Sequence, residues 1–382
     1  HLRPVSPMKI LVLCYEYPPV GGGGGRVAAS VAEGLVQNGH EVRVISAGLR
    51  HLPREAVVTG VRVFRPESFR KREDTCSVPE MALYLLTAFF PAWRMCRSWK
   101  PDVIHAHFVV PTGALAFALH LLTRIPYVLT AHLGDVPGGV PEQTDSLFRV
   151  LGPFIQPIWK KAASVTAVSG FVGDLAAKNC GIYAKVILNG VPMIAAPEIV
   201  SSGNPPRILM LGRLSVQKNP LLAIQALAQI QDLPWHFEVI GEGPLGASMR
   251  DLVHSCGLAD RVTFSGWLDA EEVSKRLELA DVLLMTSTSE GLPMAGIEAL
   301  KHGLAIAGSR IGGLSDVIEH GVNGLFSDLT PEDFAKSLRT ILADRERLKG
   351  MRRASLQKAL AFNLPDRVRD YEGTLREAAS RL

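Results

Sequence analysis

The chain has 382 residues, of which 47% are hydrophobic and 20% are charged, and its many glycines and prolines form no repeat. This length suits two domains, since a domain usually has about 100–200 residues. The composition excludes a disordered, collagen-like or solenoid protein. The most apolar stretch, residues 81–93, is too short to span a bilayer as a helix, and we expect Pro91 to end it. It is therefore predicted to be a buried or interfacial helix.

Positive charge is concentrated in the first half of the chain. Residues 1–192 contain 20 Lys and Arg against 13 Asp and Glu, whereas residues 193–382 contain 21 against 24. A basic half indicates an anionic acceptor or an anionic membrane, and an ordinary solvated surface is the alternative. The five cysteines are scattered without a CxxC pair, which predicts reduced thiols and a cytoplasmic location.

The first half alternates short apolar strands with helices. A strand is predicted at residues 9–14, a helix at 27–37 and a second strand at 40–46, and further strands follow at 103–106, 127–131, 164–168 and 185–188. Buried strands that alternate with helices are typical of a parallel sheet covered on both faces. This half is therefore predicted to be a doubly wound α/β domain.

A run of five glycines follows the first strand. Glycine lets the backbone approach a ligand closely, which favours a phosphate or acceptor loop built from Gly22, Gly23, Gly24, Gly25 and Arg26. A dinucleotide fingerprint is disfavoured, because eight residues separate the strand from Gly23 and no acid follows the second strand. A plain flexible turn is the remaining alternative.

Arginines and lysines flank the apolar stretch at residues 81–93. Such cations beside an apolar helix favour peripheral contact with anionic lipid, and a core helix with solvated flanks is an equally weighted alternative. The cations before the stretch are Arg62, Arg65, Arg70, Lys71 and Arg72, and those after it are Arg94, Arg97 and Lys100.

Histidines follow two of the strands in the first half. His132 and Asp135 lie just beyond residues 127–131, where a histidine can bind a sugar hydroxyl or donate a proton near a reacting centre. A satisfied structural histidine is the alternative. His105 and His107 are expected to point to opposite faces of their strand, so that at most one of them lines a ligand site.

The same pattern restarts after a linker at residues 195–206. Strands are predicted at 207–211, 236–240, 262–264, 282–286 and 304–307, each followed by a helical stretch, and a polar helix at 366–382 ends the chain. A second doubly wound domain is predicted from this alternation.

Two loops of the second half carry charged residues suited to a diphosphate. Arg213 and Lys218 follow the strand at 207–211, and cations there can neutralise charge on a leaving diphosphate. Glu290 and Glu298 bracket the turn and helix start after the strand at 282–286. Free amides at such a helix start bind anions, and the two carboxylates suit sugar and ribose hydroxyls. The full set of predicted donor-binding residues is Gly212, Arg213, Lys218, Glu290, Gly291, Leu292, Pro293, Met294 and Glu298.

In this order the motifs resemble those of the retaining glycosyltransferases of family 4, which have the GT-B fold. The resemblance spans nearly the whole chain and also includes residues 39–42, 102–107, 189–191, 241–244 and 321–324. It implies two Rossmann-like domains facing a central cleft, with residues 8–192 binding the acceptor, residues 206–360 binding a nucleotide sugar, and the helix at 366–382 packing back on the first domain. In the region 132–135 this chain has His-Leu-Gly-Asp where the family commonly has His-Gly-x-Asp.

The resemblance also implies roles for individual residues. Arg213 and Lys218 would hold the diphosphate, Glu298 the ribose, Glu290 and the amides of Gly291 to Met294 the hexose and phosphate, and His132 would lie beside the reacting sugar. The residues expected to act in catalysis are His132, Glu290, Arg213 and Lys218.

The resulting hypothesis is a metal-independent, cytoplasmic hexosyltransferase. No HExxH, Cys/His cluster or DxD pair occurs in the sequence, so no metal or other cofactor is expected. Its predicted partners are a nucleoside-diphosphate sugar, a glycan or lipid-linked acceptor and an anionic membrane surface, without nucleic acid. A nucleotide-sugar epimerase, a nicotinamide oxidoreductase and a non-catalytic nucleotide-sugar-binding protein are the alternatives.

Overall fold

The computed structural model describes residues 6–68, 70, 78–139, 152–195, 197–199 and 205–381. The chain divides into two compact units. The first contains His1–Pro192 together with Leu364–Leu382, and the second contains Met193–Asn363. The last helix thus belongs to the first unit.

An eight-stranded sheet forms the centre of the first unit. Its strands are β1 (Lys9–Leu13), β2 (Glu41–Ile45), β3 (Glu55–Val58), β4 (Val61–Phe64), β5 (Val103–His107), β6 (Tyr127–Ala131), β7 (Ser164–Ala167) and β8 (Lys185–Val186). They lie in the order β3-β4-β2-β1-β5-β6-β7-β8, and all neighbours are parallel except β3 and β4. The prediction of a parallel sheet therefore holds for all but one edge strand.

The antiparallel β3–β4 hairpin was absent from the sequence prediction. Its two-residue turn is Thr59-Gly60, and both residues have positive φ, 49° and 82°. Positive φ at both central positions matches the right-handed twist of a hairpin. The sequence signal was the glycine at the turn, but strands of four residues are too short to show a clear alternation.

A six-stranded parallel sheet forms the centre of the second unit. Its strands are β9 (Arg207–Leu211), β10 (His236–Ile240), β11 (Val262–Gly266), β12 (Val282–Met285), β13 (Ala305–Ser309) and β14 (Gly324–Ser327). Their order is β11-β10-β9-β12-β13-β14. Both sheets confirm the predicted α/β class with two doubly wound domains.

Helices connect the strands and cover the sheets. In the first unit they are α1 (Gly23–Gln37), α2 (Val78–Ser98), α3 (Ala114–Thr123), α4 (152–161), α5 (Gly170–Cys180) and α12 (Leu364–Ala379). In the second unit they are α6 (Pro220–Ala228), α7 (Gly246–Ser255), α8 (Ala270–Leu279), α9 (Met294–Lys301), α10 (Pro331–Leu342) and α11 (Arg345–Ala359). Among the described residues, none of these helices is long and apolar enough to cross a bilayer.

The expectation that Pro91 ends its helix is wrong. Pro91 lies inside α2, which continues to Ser98. The helix is amphipathic rather than uniformly buried: Tyr84 and Ala88 are buried, whereas Leu86 and Phe90 are 76% and 60% exposed. Tertiary packing of the buried face therefore outweighs the local cost of a proline in the helix.

The core of the first unit has two layers, one on each face of the sheet. Alternate residues of β1 face opposite layers, with Leu11 and Leu13 in one and Ile10 and Val12 in the other. Helix α12 belongs to the second of these layers, beside α1.

The contact between α1 and α12 is close at Gly34. A Cβ atom on Gly34 would lie 2.4 Å from Cγ2 of Val368. Glu372 of α12 also lies 3.2 Å from Nε2 of His40. Because these partners come from opposite ends of the sequence, α12 is an integral part of the first unit's core.

Each sheet reverses its strand order at one point. The chain runs from β1 to β2 on one side and reaches β5 on the other, and β9 is flanked by β10 and β12 in the same way. In open α/β sheets, ligands bind outside the carboxyl ends of the strands at such a point. This rule predicts ligand binding at the loops after β1 and β5 and at the loops after β9 and β12.

The prediction of a surface cluster of cations is wrong for two of its members. Arg65 and Arg70 are buried, with 4% and 3% of their surface exposed, so they do not face a membrane. Lys71 and Arg72 lie outside the described residues. Arg62, Arg94, Arg97 and Lys100 are exposed as expected.

Candidate active site

In the second unit, the loops that follow β9 and β12 are joined by hydrogen bonds. The amide of Thr288 donates to the carbonyl of Gln217 at 2.8 Å, and the amide side chain of Gln217 donates to the carbonyl of Ser289 at 2.9 Å. Thr286 Oγ1 donates to the carbonyl of Lys218 at 3.0 Å. The two predicted donor-binding loops therefore form one structural piece.

Lys218 and Glu290 form an ion pair in this piece. Lys218 Nζ lies 2.5 Å from Glu290 Oε1, and Ser287 Oγ donates to the same oxygen at 2.7 Å. Glu290 is buried, whereas Lys218 keeps a quarter of its side chain exposed. Lys218 also lines a small cavity with Gly212 and Arg213. An ammonium group has three donor hydrogens, so Lys218 can bind Glu290 and an incoming anion together.

Glycines let the backbones around this piece approach closely. Gly212 has φ of 136°, and a Cβ atom on Gly241 would lie 2.0 Å from the carbonyl oxygen of Gly212. A Cβ atom on Gly313 would lie 1.8 Å from the carbonyl oxygen of Glu290. These contacts leave no room for a larger residue, and they hold both loops in place.

Helix α9 begins at Met294, four residues after Glu290. Pro293 precedes its first residue, Met294, and no side chain caps this end. The first turn of a helix leaves amide groups without intrahelical partners, and the helix dipole favours an anion there. The segment from Gly291 to Met294 can therefore donate to a phosphate.

Glu298 lies one turn inside α9. Its Oε2 atom is 2.7 Å from Nζ of Lys301, and 30% of its side chain is exposed. Both predicted glutamates are therefore held by lysines. The two carboxylates therefore offer separate hydrogen-bond acceptors, one before the helix and one on its face.

In the first unit, the glycine run begins a helix and is only partly a loop. Helix α1 starts at Gly23, four residues earlier than predicted. Added Cβ atoms would lie 2.6 Å from Phe108 Cζ at Gly24 and 1.6 Å from the carbonyl oxygen of Glu16 at Gly25. Protein atoms therefore occupy the space that was expected to admit a ligand at these two positions.

Gly22 and Gly23 differ from their neighbours, because no atom lies within 4 Å of an added Cβ. They are exposed at the amino-terminal end of α1, together with Arg26. Of the predicted loop, these three residues can approach a ligand.

His132 lies beside this helix start. Its ring stacks on Phe108 at a centroid distance of 4.4 Å, and a Cβ atom on Gly24 would lie 3.2 Å from His132 Nδ1. Phe108 has φ of 73°, a conformation that is rare for a bulky residue and recurs at functional sites. The structure therefore brings together two features that the sequence analysis had treated separately.

The prediction that His105 and His107 point to opposite faces is wrong. Residues two apart on a strand share a face. Their rings lie 4.2 Å apart, and both side chains are buried. His107 Nδ1 is 3.4 Å from His132 Nε2, and His105 Nε2 is 2.8 Å from Thr130 Oγ1.

Burial sets the charge of this cluster. It lowers the pKa of His132 to about 4 and that of His105 to about 3, and it lowers the pKa of His107 as well. All three imidazoles are therefore neutral at pH 7. A neutral His132 can donate or accept a hydrogen bond, but it cannot supply a positive charge.

Asp135 fixes the backbone around His132. Its carboxylate accepts hydrogen bonds from the amides of Val109, at 3.0 Å, and of His132, at 2.8 Å. These two bonds lower its pKa, but burial outweighs them and raises it to about 7. Asp135 therefore joins the loops after β5 and β6.

Three residues near these sites were missed by the sequence analysis. Glu16 is the one acid in the spacer between β1 and the glycine run, and Ser287 immediately follows the strand of the Glu290 loop, so position alone could have indicated both. Phe108 gave no signal, because its unusual φ arises from tertiary packing.

Comparisons with known proteins agree with this architecture. Residues 21–193 match the family model described as Glycosyltransferase Family 4, and residues 195–358 match the model described as Glycosyl transferases group 1. An uncharacterized glycosyltransferase of Methanocaldococcus jannaschii is 28% identical over 369 residues, which cover 88% of this chain and 90% of that protein.

Solved structures show the same fold. Sucrose-phosphate synthase from Thermosynechococcus elongatus superposes with a TM-score of 0.82 at 20% identity, over 98% of this chain and all of that one. Anabaena HepE in complex with UDP-glucose superposes with a TM-score of 0.73 at 20% identity, covering 97% of this chain and 99% of that one. Two parallel-sheet α/β domains that superpose on these glycosyltransferases define the GT-B class. The chain belongs to the glycosyltransferases of the family 4 type, and it is an enzyme of that class.

Proposed function

We propose that the protein is a retaining glycosyltransferase that moves a hexose from a nucleoside-diphosphate sugar to a glycan or lipid-linked acceptor, in the synthesis of a cell-surface polysaccharide or glycolipid. The observation that carries the proposal is the Lys218–Glu290 pair at 2.5 Å, beside Arg213 and the uncapped start of α9. This arrangement offers cations and amides to a diphosphate and carboxylates to sugar hydroxyls.

The complex of Anabaena HepE with UDP-glucose supports a nucleotide sugar as the donor. In this chain Arg213 and Lys218 would bind the diphosphate, Glu290 the hexose and Glu298 the ribose. The amides from Gly291 to Met294 would complete the phosphate site.

The proposed reaction is a same-face displacement. An acceptor hydroxyl oxygen bonds to the anomeric carbon as the bond from that carbon to the phosphate oxygen breaks. The hydroxyl proton moves to the leaving phosphate oxygen, so that the products are a glycoside and a nucleoside diphosphate. Arg213 and Lys218 would stabilise the charge that develops on the leaving group, and His132 would hydrogen-bond the sugar or acceptor in its neutral form.

No metal is assigned to this reaction. The proposal rests on the cations of the protein, which can neutralise the diphosphate that a divalent ion would otherwise bind. Activity should persist after exhaustive treatment with EDTA. Activity that is lost with the chelator and restored by manganese or magnesium would contradict this assignment.

A cytoplasmic location with reversible contact to an anionic membrane is part of the same proposal. The exposed side of α2 presents Leu86 and Phe90 four residues apart, with Arg94 another four residues on and Arg97 near the helix end. An exposed apolar pair beside arginines suits an anionic bilayer surface. In sedimentation with anionic vesicles, the Leu86→Glu/Phe90→Glu variant should bind less than the wild type. Equal binding would show that α2 is not the contact.

A panel of nucleotide sugars with different bases and hexoses tests the function directly. The expected result is hydrolysis of one donor, with release of the free hexose and the nucleoside diphosphate in equal amounts. Conversion of the donor to an isomer without any acceptor would identify an epimerase instead. Thermal stabilisation by a donor without turnover would identify a binding protein.

A further inference from the structure

A cavity in the first unit lies beyond the carboxyl ends of β2 and β4 and is surrounded by arginines. Its volume is about 150 Å³, which is room for several water molecules. The charged side chains that line it are those of Arg50, Arg54, Arg65, Glu67 and Arg70. Positive charge therefore exceeds negative charge in its wall.

The innermost cations are costly to bury. Arg65 is 4% exposed, and it donates from Nη2 to the carbonyl of Pro18 at 3.1 Å. Its Nε atom is also buried, and no hydrogen-bond partner is present for it. Removal from water lowers the pKa of this guanidinium. A buried cation with an unused donor is stabilised when an anion binds beside it.

The cavity is already formed in the structure. Gly48 and Glu67 are paired as a parallel bridge, and Ser68 Oγ donates to the carbonyl of Gly48 at 2.6 Å. At the outer edge, Arg54 lies 3.6 Å from Glu67, and Arg50 is exposed. A ligand would therefore meet preformed walls and a pair of exposed arginine side chains at the entrance.

Direct contacts connect the cavity to the candidate active site of the first unit. Arg70 lies 3.8 Å from Glu16, whose Oε2 atom accepts a hydrogen bond from the amide of Gly22 at 3.4 Å. The Arg70 guanidinium also lies 5.7 Å from the centre of the Tyr15 ring, which contacts Phe108. Two side chains, those of Arg70 and Glu16, therefore connect the cavity to the glycine run.

We propose that this cavity binds a phosphate group of the acceptor, so that the molecule that receives the sugar is phosphorylated. A phosphate has more charge and more acceptor oxygens than a carboxylate, and several guanidinium groups can bind it together. Assignment of the phosphate to the acceptor rests on the proposed transferase function, whereas the anion site rests on the cavity itself.

Titration of the full chain with inorganic phosphate tests the site. The Arg213→Ala/Lys218→Ala background removes the two cations assigned to the donor diphosphate, so that phosphate binding at the donor site is weakened. In this background we expect Arg65→Gln and Arg50→Gln each to weaken phosphate binding by about tenfold or more, the usual effect of losing a charge-assisted hydrogen bond.

Arg62→Gln is the matched control, because Arg62 is an exposed arginine on β4 that does not line the cavity. It should bind phosphate as the background chain does. Arg50 is exposed, so its substitution keeps the test valid even where Arg65→Gln fails to fold. Absence of saturable phosphate binding, or equal binding in the Arg50→Gln and Arg62→Gln chains, would overturn the proposal.

Vesicles that contain phosphatidic acid identify the source of the phosphate. Sedimentation that inorganic phosphate and Arg50→Gln both reduce would indicate a lipid-linked phosphate, and phosphate binding without sedimentation would indicate a water-soluble acceptor. Either result supports the site. Sedimentation that neither change affects, without phosphate binding, counts against it. Donor hydrolysis by the wild type is a separate measurement, so failure of the transferase function and failure of the anion site are distinguishable.

Discussion

At the scale of single residues, Lys218 is predicted to bind the diphosphate of the donor. It binds Glu290 and lines the cavity that contains Arg213. We expect Lys218→Ala to lower turnover of the donor by more than about 100-fold, because the loss of one preorganised charge-stabilising donor typically has that effect. It also leaves Glu290 buried without its ion pair.

Lys275→Ala is the control for this measurement, since Lys275 is an exposed lysine of α8 that pairs with Glu271 and Glu272. Steady-state rates of the two variants should differ widely. Comparable rates in both would refute the role of Lys218 at the diphosphate.

The buried histidines predict how stability depends on pH. The pKa of His132 is about 4 in the folded chain, compared with an ordinary value near 6.5. Between these values the unfolded chain binds the proton and the folded chain does not, so stability falls as pH decreases from 6.5 to 4. One such group contributes about 3 kcal/mol to this fall. Asp135, with its pKa raised to about 7, opposes it, because the folded chain keeps that proton where the unfolded chain has lost it.

Denaturant unfolding at a series of pH values measures this effect. The loss of stability towards pH 4 should be smaller in His132→Gln than in the wild type, because one of the buried imidazoles is gone. His254→Gln, at an exposed position of α7, should retain the wild-type dependence. A slope that is the same in His132→Gln and the wild type would show that His132 accepts a proton in the folded chain.

Residues at strand ends were predictable, whereas those placed by packing were not. Arg213, Lys218 and Glu290 lie in loops that follow apolar strands, so the sequence alone indicated one edge of one sheet. Phe108 is distinguished by its backbone conformation and Arg65 by its burial. Neither property is encoded by the neighbouring residues in the sequence. The error at His105 and His107 was one of geometry, since the strand period already placed both on one face.

At the scale of secondary-structure elements, glycine allows close packing in both units. In the first unit, Gly24 and Gly25 let the first turn of α1 approach Phe108 and Glu16. In the second, Gly313 lets a short 3-10 helix (Gly312–Leu314) contact the backbone of Glu290. A run of glycines reads as a loop in sequence, but here the absent side chains admit protein atoms.

Gly313→Ala should therefore displace the Glu290 loop. The new methyl group would lie 1.8 Å from a carbonyl oxygen, and relief of such overpacking typically costs about 1–3 kcal/mol of stability. Affinity for the donor should fall with it. Thermal unfolding and donor titration measure the two effects.

Gly350→Ala provides the contrast. Gly350 lies within α11, and its added Cβ meets no atom within 4 Å. This change should raise stability by up to about 1 kcal/mol, because alanine favours a helix over glycine. If both variants were equally stable and bound the donor equally well, the contact of Gly313 with Glu290 would affect neither stability nor donor binding.

At the scale of the whole molecule, the parallel sheets of both units followed from the alternation of strands and helices, since parallel strands require helical connections. The edge hairpin did not, and neither did the extension of α1 into the glycine run. Helix α12 begins at Leu364, two residues before the predicted start, and its Val368, Tyr371 and Leu375 are buried in the first unit.

Removal of residues 364–382 should therefore destabilise the first unit and leave the second folded. Limited proteolysis with mass spectrometry would show cleavage within residues 6–192 and a protected fragment around 205–363. Removal of residues 381–382 alone should leave both units protected. Equal protection of the first unit with and without α12 would contradict its place in the core.

The position of α12 also sets an order of events during translation. A ribosome makes residues 6–192 before the second unit, and residues 364–382, which complete the first unit's core, are made only after the second unit. The apolar surface of α1 that α12 covers therefore stays exposed on the nascent first unit while the second unit is synthesised. A message that ends prematurely would yield a product whose second unit is whole and whose earliest-made part is unfinished. Quality control that senses uncovered apolar surface can thus distinguish a chain that contains α12 from one that lacks it.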